Sequence, residues 1–252
     1  MEQKIKEIKM IFQAASIEKL PELIETYAED SRSGVQALIK KAGKRIQELE
    51  EEKERTEKMK KYEYKYRQYS YICGIDEVGR GPLAGPVVAG AVILPADCDI
   101  LYLNDSKQLS EKKREELYDI IMEKAVATGI GFVSPERIDE INILQATYEA
   151  MRQAIGKLSV KPDLLLNDAV TIPGVDICQV PIIKGDAKSI SIAAASIIAK
   201  VTRDRLMVDY SKVFPEYGFE SNKGYGAKAH LEALLKYGPT PIHRRSFIKN
   251  IS

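Results

Sequence analysis

Tyr71-Ile72-Cys73-Gly74-Ile75-Asp76-Glu77-Val78-Gly79-Arg80-Gly81 is where the character of the chain changes. The run Tyr71–Ile75 is apolar and β-prone, so it predicts a strand. It ends in two acids followed by closely spaced glycines. Downstream, apolar runs alternate with amphipathic stretches. Val87–Leu94, Gly129–Val133, Asp163–Asn167 and Ile177–Ile183 read as strands. Helices are expected from Ser110 to about Ala127, with Leu117, Ile120, Ile121 and Met122 turned inward. Another runs from the N-cap Ser134 and Pro135 to about Leu158. Ala187–Tyr210 reads as a long helix whose Ser191–Ser196 stretch is made of small residues that allow close helix–sheet packing. Ala227–Tyr237 is a last helix, closed by Gly238-Pro239. Such alternation predicts an α/β fold for residues 70–252.

Upstream, residues 1–69 form a separate, heavily charged helical region. Ile5, Ile8, Ile11 and Phe12 recur at helical spacing, and Pro21 sits where a second helix can begin. Residues 30–34 break the pattern. A long helix is expected from Val35 to Tyr64, with Val35, Leu38, Ile39, Ala42, Ile46 and Leu49 as its apolar stripe. Between Lys58 and Tyr69, Lys60, Lys61, Lys65 and Arg67 interleave with Tyr62, Tyr64, Tyr66 and Tyr69. That mixture suits contact with nucleic acid and equally a connector whose tyrosines pack on the main domain.

Composition narrows the classes. The 252 residues are 44% hydrophobic and 30% charged with a net charge of +1, as in globular proteins. No apolar run is long enough to span a bilayer, and the charged opening lacks the apolar region of a secretory signal. A cytoplasmic protein is expected. Cys73, Cys98 and Cys178 include no C-x-x-C pair, which argues against a zinc or disulfide framework. They read as small buried hydrophobes. Near-neutral net charge means that any nucleic-acid footprint must be local.

The acids carry the chemistry. Asp76 and Glu77 are expected at the end of the first strand, where the glycines relax the rule that adjacent side chains take opposite faces. Asp168 ends Leu164-Leu165-Leu166-Asn167, and Asp186 follows Ile182-Ile183-Lys184-Gly185 just before the long helix. Strand ends with short loops are where sites are built in open α/β sheets. Carboxylates meeting there would repel one another unless cations neutralised them. Oxygen-only ligands suit Mg²⁺ or Mn²⁺, and such a cluster fits two-metal phosphodiester cleavage. From spacing alone, any one of these acids reads first as a helix cap or a surface charge; four at strand ends shift that reading without establishing a site.

The motifs go further. Gly74–Pro86, Asn104-Asp105-Ser106-Lys107-Gln108-Leu109-Ser110, Asp139–Ile143, Lys184–Ser189 with Ser191–Arg205, Lys223-Gly224-Tyr225-Gly226 and His243-Arg244-Arg245-Ser246-Phe247 together resemble the ribonuclease HII family, in family order, over residues 71–248. The resemblance is to the extended bacterial form with an N-terminal helical addition. It implies a ribonuclease H-like mixed sheet of five strands flanked by helices. It implies an endonuclease that hydrolyses the RNA strand of RNA–DNA hybrids and cuts 5′ to single ribonucleotides in duplex DNA. Misincorporated ribonucleotides and RNA primers, the business of replication and repair, would be its targets. Asp76, Glu77, Asp168 and Asp186 would be catalytic and hold two Mg²⁺ or Mn²⁺ ions. Gly79-Arg80-Gly81 would read the junction through backbone contacts to the 2′-OH. Glycine there would let the backbone approach the substrate. Tyr225 would stack on the junction sugar, and Lys107 and Lys184 would contact phosphates.

Two positions depart from the family. Ala169 stands where several relatives have Gly, and Asn222 where many have His. His230 reads as structural, and His243 as structural or in contact with phosphate. Residues 1–69 are expected to aid substrate binding through Arg32, Lys40, Lys41, Lys44 and Arg45, or only to pack. A monomer is expected. Two other readings are open to these residues. The sister enzyme ribonuclease HIII lacks the Gly-Arg-Gly reader, and a non-catalytic hybrid-binding module would lack one of the acids.

Overall fold

The computed structural model describes residues 3–251. The chain divides between Glu57 and Lys58 into two compact units.

The first unit consists of α1 (Ile5–Ala14), α2 (Leu20–Thr26) and the greater part of α3 (Ser33–Met59). The periodicity has its expected outcome, since Ile8, Phe12, Leu20, Val35 and Ala42 form the buried centre and Leu38, Ile39 and Ile46 pack around it. Arg32 clamps Asp30 and donates to the Gln3 carbonyl at 2.9 Å, and Arg45 reaches the Phe12 carbonyl at 3.4 Å. These two arginines therefore hold the unit together, whereas Lys40, Lys41 and Lys44, the other expected contacts, are exposed.

The long helix does not run to Tyr64. It stops at Met59, and α4 (Lys61–Lys65) follows a break at Lys60, whose ψ is 6°. The break lets neighbouring side chains serve different clusters. Met59 is buried with the helices on one face of the sheet, while Tyr62, Tyr66 and Tyr69 pack on Leu164, Leu166, Ile182 and Ile192. The packing role of the tyrosine-rich connector therefore holds for three of its four tyrosines. Tyr64 is exposed.

The second unit is built on β1 (Ile72–Val78), β2 (Val87–Ile93), β3 (Ala127–Val133), β4 (Leu164–Asp168) and β5 (Cys178–Ile182). They form one sheet in the order β3-β2-β1-β4-β5. The β1–β2 and β2–β3 pairs are antiparallel; β1–β4 and β4–β5 are parallel. This is the mixed five-stranded sheet that the resemblance implies. α5 (Glu111–Lys124) and α7 (Ile190–Val213) cover one face, and α6 (Pro135–Gly156) covers the other. α8 (Phe219–Asn222), α9 (Lys228–Tyr237) and α10 (Arg245–Ile248) form a third apolar cluster with Ala84 and Met207. No helix of the described residues is long and apolar enough to cross a membrane.

Glycines and small residues set how closely helix and sheet approach. A Cβ on Gly74 would lie 2.0 Å from the Ser191 carbonyl carbon, and one on Gly90 would lie 2.4 Å from the Ala195 oxygen. The Ser191–Ser196 stretch of α7 thus rests directly on β1 and β2. On the opposite face Gly131 meets the Ala150 carbonyl in the same way, at 1.8 Å.

Some expectations need correction. Met122 is 44% exposed: Leu117 and Ile121, four residues apart, define the inner stripe, and Met122 lies one position past it. Cys178 is exposed, because β5 is an edge strand. α6 is one helix only nominally, because Asn142 has φ 66° and ψ 164°. Its Oδ1 accepts from the amides of Leu144 and Gln145 at 3.0 and 3.2 Å, so it caps the second segment.

Candidate active site

β1 does not end at Asp76. Its pairing with β2 continues through Asp76↔Gly90, Glu77↔Ala89 and Val78↔Val88, so the pleat is retained and the two acids leave the strand on opposite faces. Asp76 is on the side of Gly74 and Gly90, toward α7. Glu77 continues the row of Cys73 and Ile75. Asp168, one strand over at the C-terminal end of β4, interacts with both. Its Oδ1 accepts from the Gly185 amide at 2.7 Å, which ties β4 to the 3₁₀ turn Gly185–Ala187 that carries Asp186.

The electrostatics are those of crowded anions. Burial raises the Asp76 pKa well above the ordinary value, and the charges of Glu77 and Asp168 raise it further. The Ser196 hydroxyl, bonded to Ser106 Oγ at 2.9 Å, works in the other direction. Burial also raises Glu77, against the pull of Arg80, whose guanidinium lies 3.3 Å from its Oε1. Asp186 is raised to about 6 by burial and by the charges of Asp105 and Asp168. Burial alone would lower the Lys107 pKa, but Asp105, Asp76 and Asp186 more than offset it and leave it raised. Asp105 is therefore a fifth acid of the group. The sequence signalled it only inside Asn104–Ser110, where it caps the turn of Lys107 by accepting from that amide at 2.9 Å.

Asp76, Glu77, Gly79, Arg80, Gly81, Lys107 and Tyr225 line one open cleft of about 480 Å³. Asp168 and Asp186 are not in its lining and belong to it through the charge coupling just described. Lys184 is exposed in a left-handed conformation two residues before Asp186. Tyr225 is 43% exposed, and a Cβ on Gly81 would lie 3.7 Å from its ring. Gly79 is required from the core side: its φ is +89°, and a Cβ there would lie 2.3 Å from Arg203 Nε.

Among the described residues, no three His, Cys, Asp or Glu side chains form a closed metal-ligand set as they lie. Glu77 is turned onto Arg80, and Asp168 onto Gly185. The donors nevertheless fit hard divalent cations. They are carboxylate oxygens without sulfur or imidazole, and their mutual repulsion, visible in the raised pKa values of Asp76 and Asp186, is what a cation relieves.

The sequence model of the family described as Ribonuclease HII matches residues 73–250, and that of the Ribonuclease HII N-terminal domain matches residues 4–67. The chain belongs to the ribonuclease HII family. It is similar to the ribonuclease HII of Lachnoclostridium phytofermentans, with 68% identity over 228 residues covering 90% of each chain. The ribonuclease HII of Clostridioides difficile is 56% identical over 249 residues, 98% of each. Among solved structures, the ribonuclease H2 of Pyrococcus horikoshii matches with a TM-score of 0.61 and 30% identity, over 72% of this chain and 96% of that one. The chain is thus a ribonuclease H hydrolase that acts on nucleic acid.

Within this ribonuclease HII fold, the family departures have local explanations. Ala169 has φ +56°, a left-handed conformation that glycine adopts without strain. Asn222 braces the Tyr225 loop: its Oδ1 accepts from Gly224 at 2.8 Å, and its Nδ2 donates to the Tyr217 carbonyl at 2.6 Å. His243 is buried and cannot reach phosphate. Its Nε2 lies 2.9 Å from His230 Nε2, and His230 Nδ1 lies 2.7 Å from the Tyr225 carbonyl oxygen. Sequence reading also missed Arg203 and Arg244, both fully buried behind the Gly79–Pro86 turn.

Proposed function

We propose that the chain is a divalent-metal-dependent endonuclease that hydrolyses the RNA strand of RNA–DNA hybrids. It also cuts 5′ to single ribonucleotides in duplex DNA, leaving 3′-hydroxyl and 5′-phosphate ends. The observation that carries this reading is the convergence of Asp76, Glu77, Asp168 and Asp186 from separate segments, with the proton affinities of Asp76, Glu77 and Asp186 raised by burial and by neighbouring carboxylates, beside the Gly79–Gly81 turn and Tyr225.

In this reading the four acids are catalytic and would hold two Mg²⁺ or Mn²⁺ ions. Such ions, when bound, supply an activated water and stabilise the departing oxygen. Glu77 must leave Arg80 to join the ligand set, which frees the Arg80 guanidinium for a phosphate. Lys107, its positive charge strengthened by the acids around it, holds the scissile-strand backbone, and Lys184 contacts a neighbouring phosphate. Gly79-Arg80-Gly81 reads the 2′-OH, and the exposed Tyr225 ring stacks on the junction sugar. Residues 1–69 aid binding through Lys40, Lys41 and Lys44, acting with the catalytic region 70–252. The protein works as a cytoplasmic monomer in replication and repair.

The test is to map the cut on a DNA duplex carrying one ribonucleotide, with Mg²⁺ or Mn²⁺ supplied. A cut immediately 5′ to the ribonucleotide is expected. Cleavage of a long RNA–DNA hybrid without that cut would keep the carboxylate site and overturn the junction reading.

A further inference from the structure

Arg203 and Arg244 are the two largest side chains with no solvent exposure. A buried cation ordinarily needs an anion or a complete set of hydrogen bonds. Every hydrogen bond these two guanidinium groups make goes to a main-chain carbonyl. Arg203 donates from Nε to Pro86 at 2.9 Å, and from its terminal nitrogens to Lys223 at 2.9 Å and Ala84 at 3.0 Å. Arg244 donates from Nε to Gly85 at 3.0 Å, and from its terminal nitrogens to Arg80 at 2.9 Å, to Gly85 at 2.8 Å and to Gly79. Burial pulls their pKa values down to about 10 and about 9, so both stay charged at neutral pH.

The direction of these bonds has a geometric consequence. The peptides are trans, so each carbonyl points opposite to the N–H of the following residue. With the Gly79 and Arg80 carbonyls drawn inward onto Arg244, the amides of Arg80 and Gly81 point outward. Both residues are exposed, both line the cleft, and neither amide has an acceptor among the described residues. We propose that Arg244, braced by Arg203, is a positioning residue that presents the Arg80 and Gly81 amides as two preset donors to the ribose hydroxyl of the substrate. This inference rests on the junction reading given above.

Lysine at 244 retains the charge but cannot span three carbonyls as the planar fork does. The experiment compares the protein with Arg244→Lys and, as a second variant, Arg203→Lys. Affinities are measured, with metal chelated so that nothing is cut, for a duplex carrying one ribonucleotide and for the same duplex in all-DNA form. Thermal melts establish that each variant is folded. The expected result is that the ribonucleotide preference falls about tenfold, equivalent to about 1.4 kcal/mol and the scale of one net hydrogen bond, while all-DNA binding stays within about twofold. A folded variant that keeps its preference overturns the inference and leaves the junction reading standing. Equal loss on both duplexes reduces the arginines to a structural role and also overturns it. A parent protein with no ribonucleotide preference overturns the junction reading and this inference with it.

Discussion

Acidification will uncouple the buried histidine pair behind Tyr225. Thr240 donates its amide to His243 Nδ1 at 3.0 Å, so that nitrogen carries no proton and the His243 proton is on Nε2. It faces His230 Nε2 at 2.9 Å, which must accept, and the His230 proton on Nδ1 points to the Tyr225 carbonyl. Every ring nitrogen is committed, so an added proton would set two N–H groups against each other. Burial, the neighbouring His230 and Arg245 push His243 down from 6.5 to about 4, and burial lowers His230 as well. At this pair the folded state therefore binds fewer protons than the unfolded chain below pH 6.5. The stabilisation is complete above that pH and disappears as the pH falls toward 4. At 1.36 kcal/mol per unit, His243 alone accounts for about 3 kcal/mol. Urea unfolding of the protein and of His243→Asn at pH 7 and pH 4.5 measures it. The gap in stability between the two should narrow by about 2–3 kcal/mol on acidification. The carboxylates titrate in both proteins and cancel in the difference. A gap that does not change with pH would refute the tautomer assignment and the argument built on it.

Asp76→Asn should lower the cleavage rate by more than about a hundredfold, beyond the usual effect of a residue that only supports a ligand, and a rate assay on a hybrid substrate checks it. Because the raised pKa of Asp186 makes the folded state bind extra protons, its charge destabilises the metal-free protein as pH rises through about 6. Adding Mg²⁺ or Mn²⁺ should therefore raise the melting temperature more at pH 7.5 than at pH 5, as calorimetry would show. Ala169→Gly should stabilise by about 0.5–1 kcal/mol, since an L-residue in the left-handed region costs about 1–2 kcal/mol and glycine returns part of that in the unfolded chain; denaturant midpoints report it. Gly131→Ala should destabilise by about 1–3 kcal/mol or more, because the new Cβ meets the Ala150 carbonyl of α6, and thermal unfolding should show it at once.

Apolar runs located the strands, and helical periodicity located most of the helices and the apolar stripe of the N-terminal unit, because both are local properties that a sequence displays directly. Position at strand ends, together with the family resemblance, brought Asp76, Glu77, Asp168 and Asp186 under notice as one set. What they could not display was the direction of approach. Whether β1 carried its pleat past Asp76 depended on how far β2 stayed paired, which is a property of two segments. Asp105 stood in the sequence only as one residue of the Asn104–Ser110 motif, and its charge beside Asp186 needed the fold. Cys178 looked buried and lies exposed on an edge strand, because strand order is not written in any one strand. Arg203 and Arg244 stood in the quoted motifs without a role. Only the tertiary structure revealed that carbonyls from the Gly79–Pro86 turn and from Lys223 close around them, since solvating a buried cation takes oxygens from parts of the chain more than a hundred residues apart.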